Sequence, residues 1–182
     1  MSETPMNRQS IPDTLSVIHN RKSTRNFTGE LVTQNEHDIL LKAAMAAPSA
    51  VNCQPWEFII VTNRITLDAL GDALPYTKMI YKAGAAIIVC AVPVKAHKQM
   101  EEYAVIDSTL ASQNILLAAE AIGLGAIWTA AYPYLDRMES VRRILRIPAN
   151  IIPLNVIPIG HPTGDDKPKN KFDARKIHKE MW

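Results

Sequence analysis

Arg21-Lys22-Ser23-Thr24-Arg25 places three cations and two hydroxyls in a run short enough to surround one phosphate group. Arginine supplies planar paired donors, lysine a mobile point charge and serine a short neutral donor, a mixture suited to a terminal phosphate. The same run would also serve as a solvated basic turn closing a helix, where positive charge complements the helix dipole. A second polar segment runs from Ala47 through Pro48-Ser49-Ala50-Val51-Asn52-Cys53-Gln54-Pro55 to Trp56. Its prolines fix a loop, and its small residues let a planar ligand approach the backbone. Ser49, Asn52 and Gln54 offer the donors and acceptors needed to read the carbonyl and nitrogen edge of a heteroaromatic ring. A polar turn anchored in a core by Trp56 would have the same composition.

The elements that must carry these segments follow from periodicity. Pro12-Asp13-Thr14 reads as a helix start with Leu15 and Ile18 turned inward, and the basic run begins where that helix ends. Thr33-Gln34-Asn35-Glu36 has capping-box spacing ahead of Ile39, Leu40, Ala43, Ala44 and Ala47 on one helical face, and Pro48 stops that helix. Residues 57–62 read as a strand, Leu67, Leu70 and Leu74 as a short amphipathic helix, and 85–92 as a second, more apolar strand. From Glu101 to Ile122 the residues Ile106, Leu110, Leu117 and Ala121 fit a long helix ended by Gly123. Residues 125–130 give a third strand. Asp136-Arg137-Met138-Glu139 starts a helix ahead of Val141 and Leu145, and 151–159 form a fourth strand. Pro153 and Pro158 cannot donate ladder hydrogen bonds, so that strand is expected to be interrupted or partly at an edge. The alternation of helices and strands would, taken alone, suggest a parallel doubly wound sheet. The Gly-rich dinucleotide fingerprint of such sheets is absent, because Gly123 and Gly125 follow a helix and do not lead from a strand into one.

With 182 residues, 47% of them hydrophobic and 21% charged, the chain can bury one core, and a single domain is expected. A formal charge of +2 is too small for the broad positive field of a nucleic-acid binder, so no nucleic-acid partner is expected. No stretch approaches the roughly 20 apolar residues of a membrane span, and the polar start of the sequence lacks the apolar run of a signal peptide. No membrane association is expected, and the cytoplasm is the expected location. Cys53 and Cys90 show no metal or disulfide spacing. Cys53 has no histidine beside it in sequence to activate it and reads as a small packed thiol. Asp165 and Asp166, in the Pro/Lys tail, read as solvated.

Four segments together carry a family resemblance. Arg21-Lys22-Ser23-Thr24-Arg25-Asn26-Phe27 resembles the RxSxR/K-x-F element that opens nitroreductase-family domains, and Pro48 to Trp56 resembles the family's PSxxNxQPW loop. Gly123-Leu124-Gly125-Ala126-Ile127-Trp128 resembles its GLG run ahead of a strand, and Pro158-Ile159-Gly160-His161-Pro162 its late PxGxP segment. The match keeps this order from about Ile18 to the end of the chain.

That resemblance implies an α+β fold, a three-layer α/β/α sandwich with a central mixed, mostly antiparallel sheet, and a homodimer with FMN at the subunit interface. Residues 161–182 would then be a C-terminal extension packing on the partner subunit. Carried over position by position, it nominates Arg21, Lys22, Ser23 and Arg25, with the late Lys169 and Lys171, for the FMN phosphate. The second of those late positions is commonly arginine, so Lys171 keeps the charge and loses the bidentate geometry. It also nominates Pro48, Ser49, Ala50, Asn52 and Gln54 around the flavin, some reaching across the dimer. Thr129 and Ala130 fall at the reactive side of the ring, where the family's usual acidic or glycine pattern is missing and contacts would be made by backbone amides. The implied activity is FMN-dependent reduction of a nitroaromatic, quinone or other small electron-poor acceptor by NADH or NADPH in ping-pong exchange, with no catalytic side chain and no metal. Reductive dehalogenation, flavin cleavage and a nonenzymatic FMN carrier are the alternatives on the same scaffold. Residues 74–102, with Tyr76, Tyr81, His97 and Met100, are the expected place for a mobile substrate cover.

Overall fold

The computed structural model describes residues 13–182, so Pro12 of the expected first helix start lies outside the described residues. α1 (Thr14–Asn20) is capped by Asp13, whose carboxylate accepts from the amides of Leu15 and Ser16 at 3.0 and 3.2 Å. α2 (Gln34–Met45) begins with the expected capping box: the Thr33 hydroxyl accepts from the Glu36 amide, and the Glu36 carboxylate accepts from the Thr33 amide. After β1 (Trp56–Val61), α3 (Arg64–Ala73) and β2 (Ala85–Ala91) comes α4 (Glu101–Ala121), which ends before Gly123 at a φ of 81°. β3 (Gly125–Ala126), β4 (Thr129–Ala130), α5 (Leu135–Leu145) and β5 (Ile152–Gly160) complete the order.

Three layers result. The sheet runs β1-β2-β5-β3, with β4 also on β5, and each of its strand pairs is antiparallel. The parallel arrangement that alternation alone suggested is not formed. One face of the sheet packs through Ile87, Val89, Ile157 and Ile159 onto Leu40 and Ala44 of α2 and Ala111 and Ile115 of α4. The other face packs through Ala86, Ile88 and Val156 onto Leu67 and Leu70 of α3 and Met138 and Val141 of α5. Burial on both faces explains why β2 is a continuous apolar run and β5 one broken only by Asn155, although the sheet is antiparallel.

Of the two expectations for β5, interrupted or partly at an edge, the structure shows the interruption and not the edge. β5 lies between β2 and the β3/β4 pair, and its prolines fall where the ladder is irregular. Val89 pairs with Asn155 and Cys90 with Pro153, so Leu154 is the extra residue of a bulge, and Pro153 meets β2 at that irregularity. Pro158 turns its carbonyl toward the other side, where it accepts from the Ile127 amide at 3.2 Å between the two short strands β3 and β4. Its missing donor faces the gap between those strands.

Two helical faces also differ from expectation. Leu15 and Ile18 are exposed while Val17 is buried, and on α4 Ile106 and Leu110 are exposed while Ala104, Asp107, Ser108, Ala111, Ser112 and Ile115 are buried. The periodicity of α4 is ambiguous because both its faces are apolar. Within 74–102, Ala85 to Ala91 is the fully buried strand β2, so a cover could be drawn only from the short turns that flank it.

Gly125 ties the fold to the basic run. A Cβ built there would collide with the side chain of Thr24, which is buried and whose amide donates to the Ala126 carbonyl at 3.1 Å. Gly125→Ala should therefore destabilise the protein by about 1–3 kcal/mol in urea unfolding, the ordinary range for overpacking.

Candidate functional site

The chain leaving β5 turns back along the basic run. Thr28 donates its amide to the His161 carbonyl at 2.9 Å, Phe27 and Pro162 form an antiparallel bridge, and Thr163 donates to the Asn26 carbonyl at 3.0 Å. The carboxylate of Asp166 then accepts from the amides of Arg25 and Asn26 at 2.8 and 3.1 Å. Partial desolvation pushes the Asp166 carboxyl up, but those two backbone amides, with the Asn26 side chain and the Arg25 charge, outweigh it and hold it below the ordinary carboxylate range. The tail segment with Asp166 is thus fastened to its own subunit and is not a freely solvated strap.

This clamp closes a cleft of about 490 Å³. Arg21, Lys22, Ser23 and Arg25 line one side, and Lys169 and Lys171 the other, with Lys167 beside them. The six expected phosphate contacts therefore share one cleft. Its two carboxylates are both occupied by other donors: Asp166 by the amides above and Asp165 by the Thr163 hydroxyl at 2.6 Å. Lys22 is held by Glu120 of α4 at 3.1 Å, and it alone of the cleft's cations is in an ion pair among the described residues. An excess of positive charge around one open cleft, with the Ser23 hydroxyl available, fits a phosphate dianion.

The polar loop forms a separate structure. Its backbone takes positive φ at Val51, Asn52 and Gln54 (52°, 58° and 51°), so three non-glycine residues sit in the left-handed region. Side chains brace it: Ser49 Oγ accepts from the Gln54 amide at 2.9 Å, and Asn52 Oδ1 accepts from Gln54 Nε2 at 2.9 Å. Buried Asp107 of α4 accepts from the Ala50 amide at 3.1 Å, and Ser108 donates to the Pro55 carbonyl at 3.3 Å. Pro48, Asn52 and Gln54 remain exposed. None of Pro48, Ser49, Ala50, Asn52 or Gln54 lines the cationic cleft.

Thr129 and Ala130 form β4 on β5 and neither line the cleft nor share in the loop's hydrogen bonds. Thr129 is buried and gives its hydroxyl proton to the Val156 carbonyl at 2.6 Å, so its side chain has no donor left for a ligand. Ala130 pairs with Asn155, whose amide nitrogen donates to Ser112 in the middle of α4 at 2.8 Å. Asp107 and Glu120, the two α4 residues that hold the loop and the basic run, are 13 positions apart. At 1.5 Å per residue the loop and the cleft are fastened about 20 Å apart along one helix.

A family model described as the Nitroreductase family matches residues 18–75 and 72–161. The chain belongs to the nitroreductase family. It is 42% identical over 170 residues to a provisionally named NADH dehydrogenase/NAD(P)H nitroreductase of Methanothermobacter thermautotrophicus, covering 93% of this chain and 88% of the relative. A solved protein of the same provisional name from Parabacteroides distasonis shares 47% identity at a TM-score of 0.88, covering 93% of this chain and 98% of that one. A provisionally named nitroreductase of Desulfovibrio desulfuricans, solved in complex with FMN, superposes at a TM-score of 0.80 with 25% identity, covering 95% of this chain and 99% of that one.

Sequence reasoning missed Asp107, Glu120, Asn155 and the clamp made by Asp166. Asp107 had a readable signal, since it shares the helical face of Ala104, Ala111 and Ile115, where an acid needs a partner. Cys90 is not a nucleophile: burial pushes its thiol up to about 12, and the nearby Glu57 adds to the shift.

Because its folded pKa is depressed, Asp166 stabilises the protein above the unfolded carboxylate value, and that contribution fades as pH falls through the folded value. Asp166→Asn should be less stable than wild type at pH 7, and the gap should close between about pH 5 and pH 2 in denaturant unfolding series.

Proposed function

We propose that this protein is an FMN-dependent NAD(P)H oxidoreductase that reduces a nitroaromatic, quinone or other small electron-poor acceptor in ping-pong exchange. The observation that carries the reading is the cationic cleft, where Arg21, Lys22, Ser23, Arg25, Lys169 and Lys171 come together with the charge and donors that a flavin phosphate needs. The NAD(P)H nitroreductase name of the archaeal relative and the FMN complex of the Desulfovibrio protein support it.

We take the whole chain as one domain and its functional unit as a homodimer. The separation of about 20 Å along α4 supports this, because a flavin seated by its phosphate in one cleft would meet the polar loop of the partner more readily than its own. The helix-covered face supports it too: Ile18, Met45, Ile106 and Leu110 on α1, α2 and α4 leave apolar side chains in water. The end of the extension carries Ile177, Met181 and Trp182 fully or largely exposed, and a partner subunit would cover them. Among the described residues no helix is long and apolar enough to cross a membrane, and the buried free thiol of Cys90 suits the reducing cytoplasm we assign.

FMN, when bound, supplies hydride transfer between the nicotinamide and the acceptor. This chain's part is binding and orientation. Arg21, Arg25, Lys169 and Lys171 neutralise the phosphate, with Ser23 as a neutral donor. Lys22 must first release Glu120 to join them. Asn52 and Gln54 present amide groups on a loop whose shape is fixed by Ser49 and Asp107, so polar contacts to a flat ring would be preorganised. The only donors that Thr129 and Ala130 offer are backbone amides, and no side chain is needed to carry a proton.

Purified protein loaded with FMN and freed of excess should retain a flavin spectrum that NADPH or NADH bleaches without oxygen. Retained flavin that stays yellow would mark a carrier, and no retained flavin would overturn the reading. Lys169→Gln with Lys171→Gln should weaken FMN binding by at least about tenfold, the loss expected for charge-assisted hydrogen bonds. Light scattering after size exclusion should give twice the mass of one chain, and a monomer at micromolar concentration would remove the shared site.

A further inference from the structure

Lys22 stands where the cleft meets α4. It follows the end of α1 at Asn20 and lines the cleft, yet its ammonium is bonded to both carboxylate oxygens of Glu120, at 3.1 and 3.3 Å. The pair joins residues 98 positions apart, and its side chains keep only 21% and 19% of their surface in water. Solvent therefore screens it far less than it screens an exposed ion pair. Where it stands, the charge of Lys22 is cancelled.

Glu120 is an unfavourable residue for its place in the helix. α4 ends at Ala121, so the carboxylate lies in the last turn, beside the partial negative charge of the terminal carbonyls. Lys22 offsets that repulsion. If the ammonium moved to a phosphate in the cleft, a carboxylate four-fifths buried would be left without it at the negative end of a helix, and losing one member of a buried pair is costly. The phosphate has to recover that cost before Lys22 adds anything to binding. A phosphate dianion can do so, since it carries more charge than a carboxylate and accepts from Arg21, Arg25 and Lys169 at the same time. The net gain is smaller than the number of cations in the cleft suggests.

We propose that Glu120 is a built-in competitor of the flavin phosphate: by holding Lys22 on α4 it lowers the affinity of the cleft for FMN and makes the flavin easier to release. The inference rests on the reading of the cleft as the site of the FMN phosphate. Glu120 is a positioning residue and acts through Lys22. Exchange of the ammonium between two anions moves one flexible side chain and leaves the backbone of the basic run in place, where Thr24 and Arg25 are fastened to Ala126 and Asp166. Lys22 returns to Glu120 as the phosphate leaves, so the carboxylate acts on the residence of the flavin.

The test uses the full chain loaded with FMN and then diluted, with released flavin followed by its fluorescence and the equilibrium affinity taken from the same signal. Glu120→Gln keeps the shape and an oxygen acceptor and removes the charge. It should hold FMN about tenfold more tightly than wild type, the scale of one charge-assisted contact, with slower release. A merely structural lesion would loosen the flavin. The gain should shrink at high salt. Lys22→Gln should cost more affinity in the Glu120→Gln background than in wild type, and that difference is the share Glu120 takes. Release from Glu120→Gln at the wild-type rate or faster, or equal costs of Lys22→Gln in the two backgrounds, would overturn the inference. Should Glu120→Gln not fold, Lys22→Gln alone decides: a loss of FMN affinity as large as that of Lys169→Gln overturns the inference, and a smaller one supports it. Wild type that retains FMN while Glu120→Gln holds it no more tightly overturns this inference alone, and a wild-type chain that holds no flavin overturns it together with the reading on which it rests.

Discussion

Two carboxylates on α4 fasten the two halves of the site, and the rest of the arrangement depends on where that helix puts them. Asp107, buried against the sheet, holds the amide of Ala50, and Glu120, near the helix end, holds the ammonium of Lys22. A helix is a stiff spacer, so both anchors are set by one rigid body packed on α2 and the sheet. The two bonds differ in character. Asp107 is sequestered and bonded to a backbone group that cannot move without remodelling a loop already in left-handed conformation at three residues. The Lys22–Glu120 pair is four-fifths buried at both side chains, yet lysine is a mobile point charge and can exchange one anion for another. One anchor preorganises a surface and the other keeps a cation in reserve.

The same helix explains how much of the fold could be read from sequence. Capped and terminated elements were legible because their signals are local: the Thr33–Glu36 box and Gly123 act within a turn of the residues that form them. The buried face of α4 was not, because Ile106 and Leu110 satisfy helical spacing as well as Ala104, Ala111 and Ile115 do. Of the two apolar faces, one packs on the sheet and the other, with Ile106 and Leu110, is exposed. Strand order was equally out of reach. The prolines of β5 argue for an edge when taken singly, yet a bulge at Leu154 and the break between β3 and β4 let a central strand carry both without a mismatched donor inside the regular ladder. The compensation lies in the neighbouring strands, where a local reading does not look.

The site was legible in its residue types and not in its connections. The cations at 21, 22, 25, 169 and 171 announce themselves by charge, and the structure brings them to one cleft. What draws the tail there is Asp166, which local sequence marks as a solvated acid and which is instead bonded to two backbone amides 140 and 141 positions earlier. That bond is invisible to spacing because it spans almost the whole chain. The loop from Pro48 to Gln54 was legible as polar and constrained, but its distance from the cleft is a property of α4's length and of nothing within the loop.

The electrostatics of the cleft show why its cations can wait for a ligand. Exposed ion pairs contribute little, because solvent screens them and two long side chains must be ordered to form one. Leaving Arg25, Lys167, Lys169 and Lys171 without an ion pair among the described residues therefore costs the fold little, and the two nearby carboxylates, which keep their charge, give their hydrogen bonds to amides and a hydroxyl and form no ion pair with those side chains. The gain appears when a phosphate arrives that can accept several of these donors at once and exclude water between them. Asp166 serves that outcome twice: it brings the tail lysines to the basic run, and it spends its acceptor oxygen on backbone amides and not on the side-chain cations. A carboxylate that anchors by accepting from backbone, and not from arginine or lysine, is what allows a clamp to sit in a cationic cleft and leave its cations free to bind an anion.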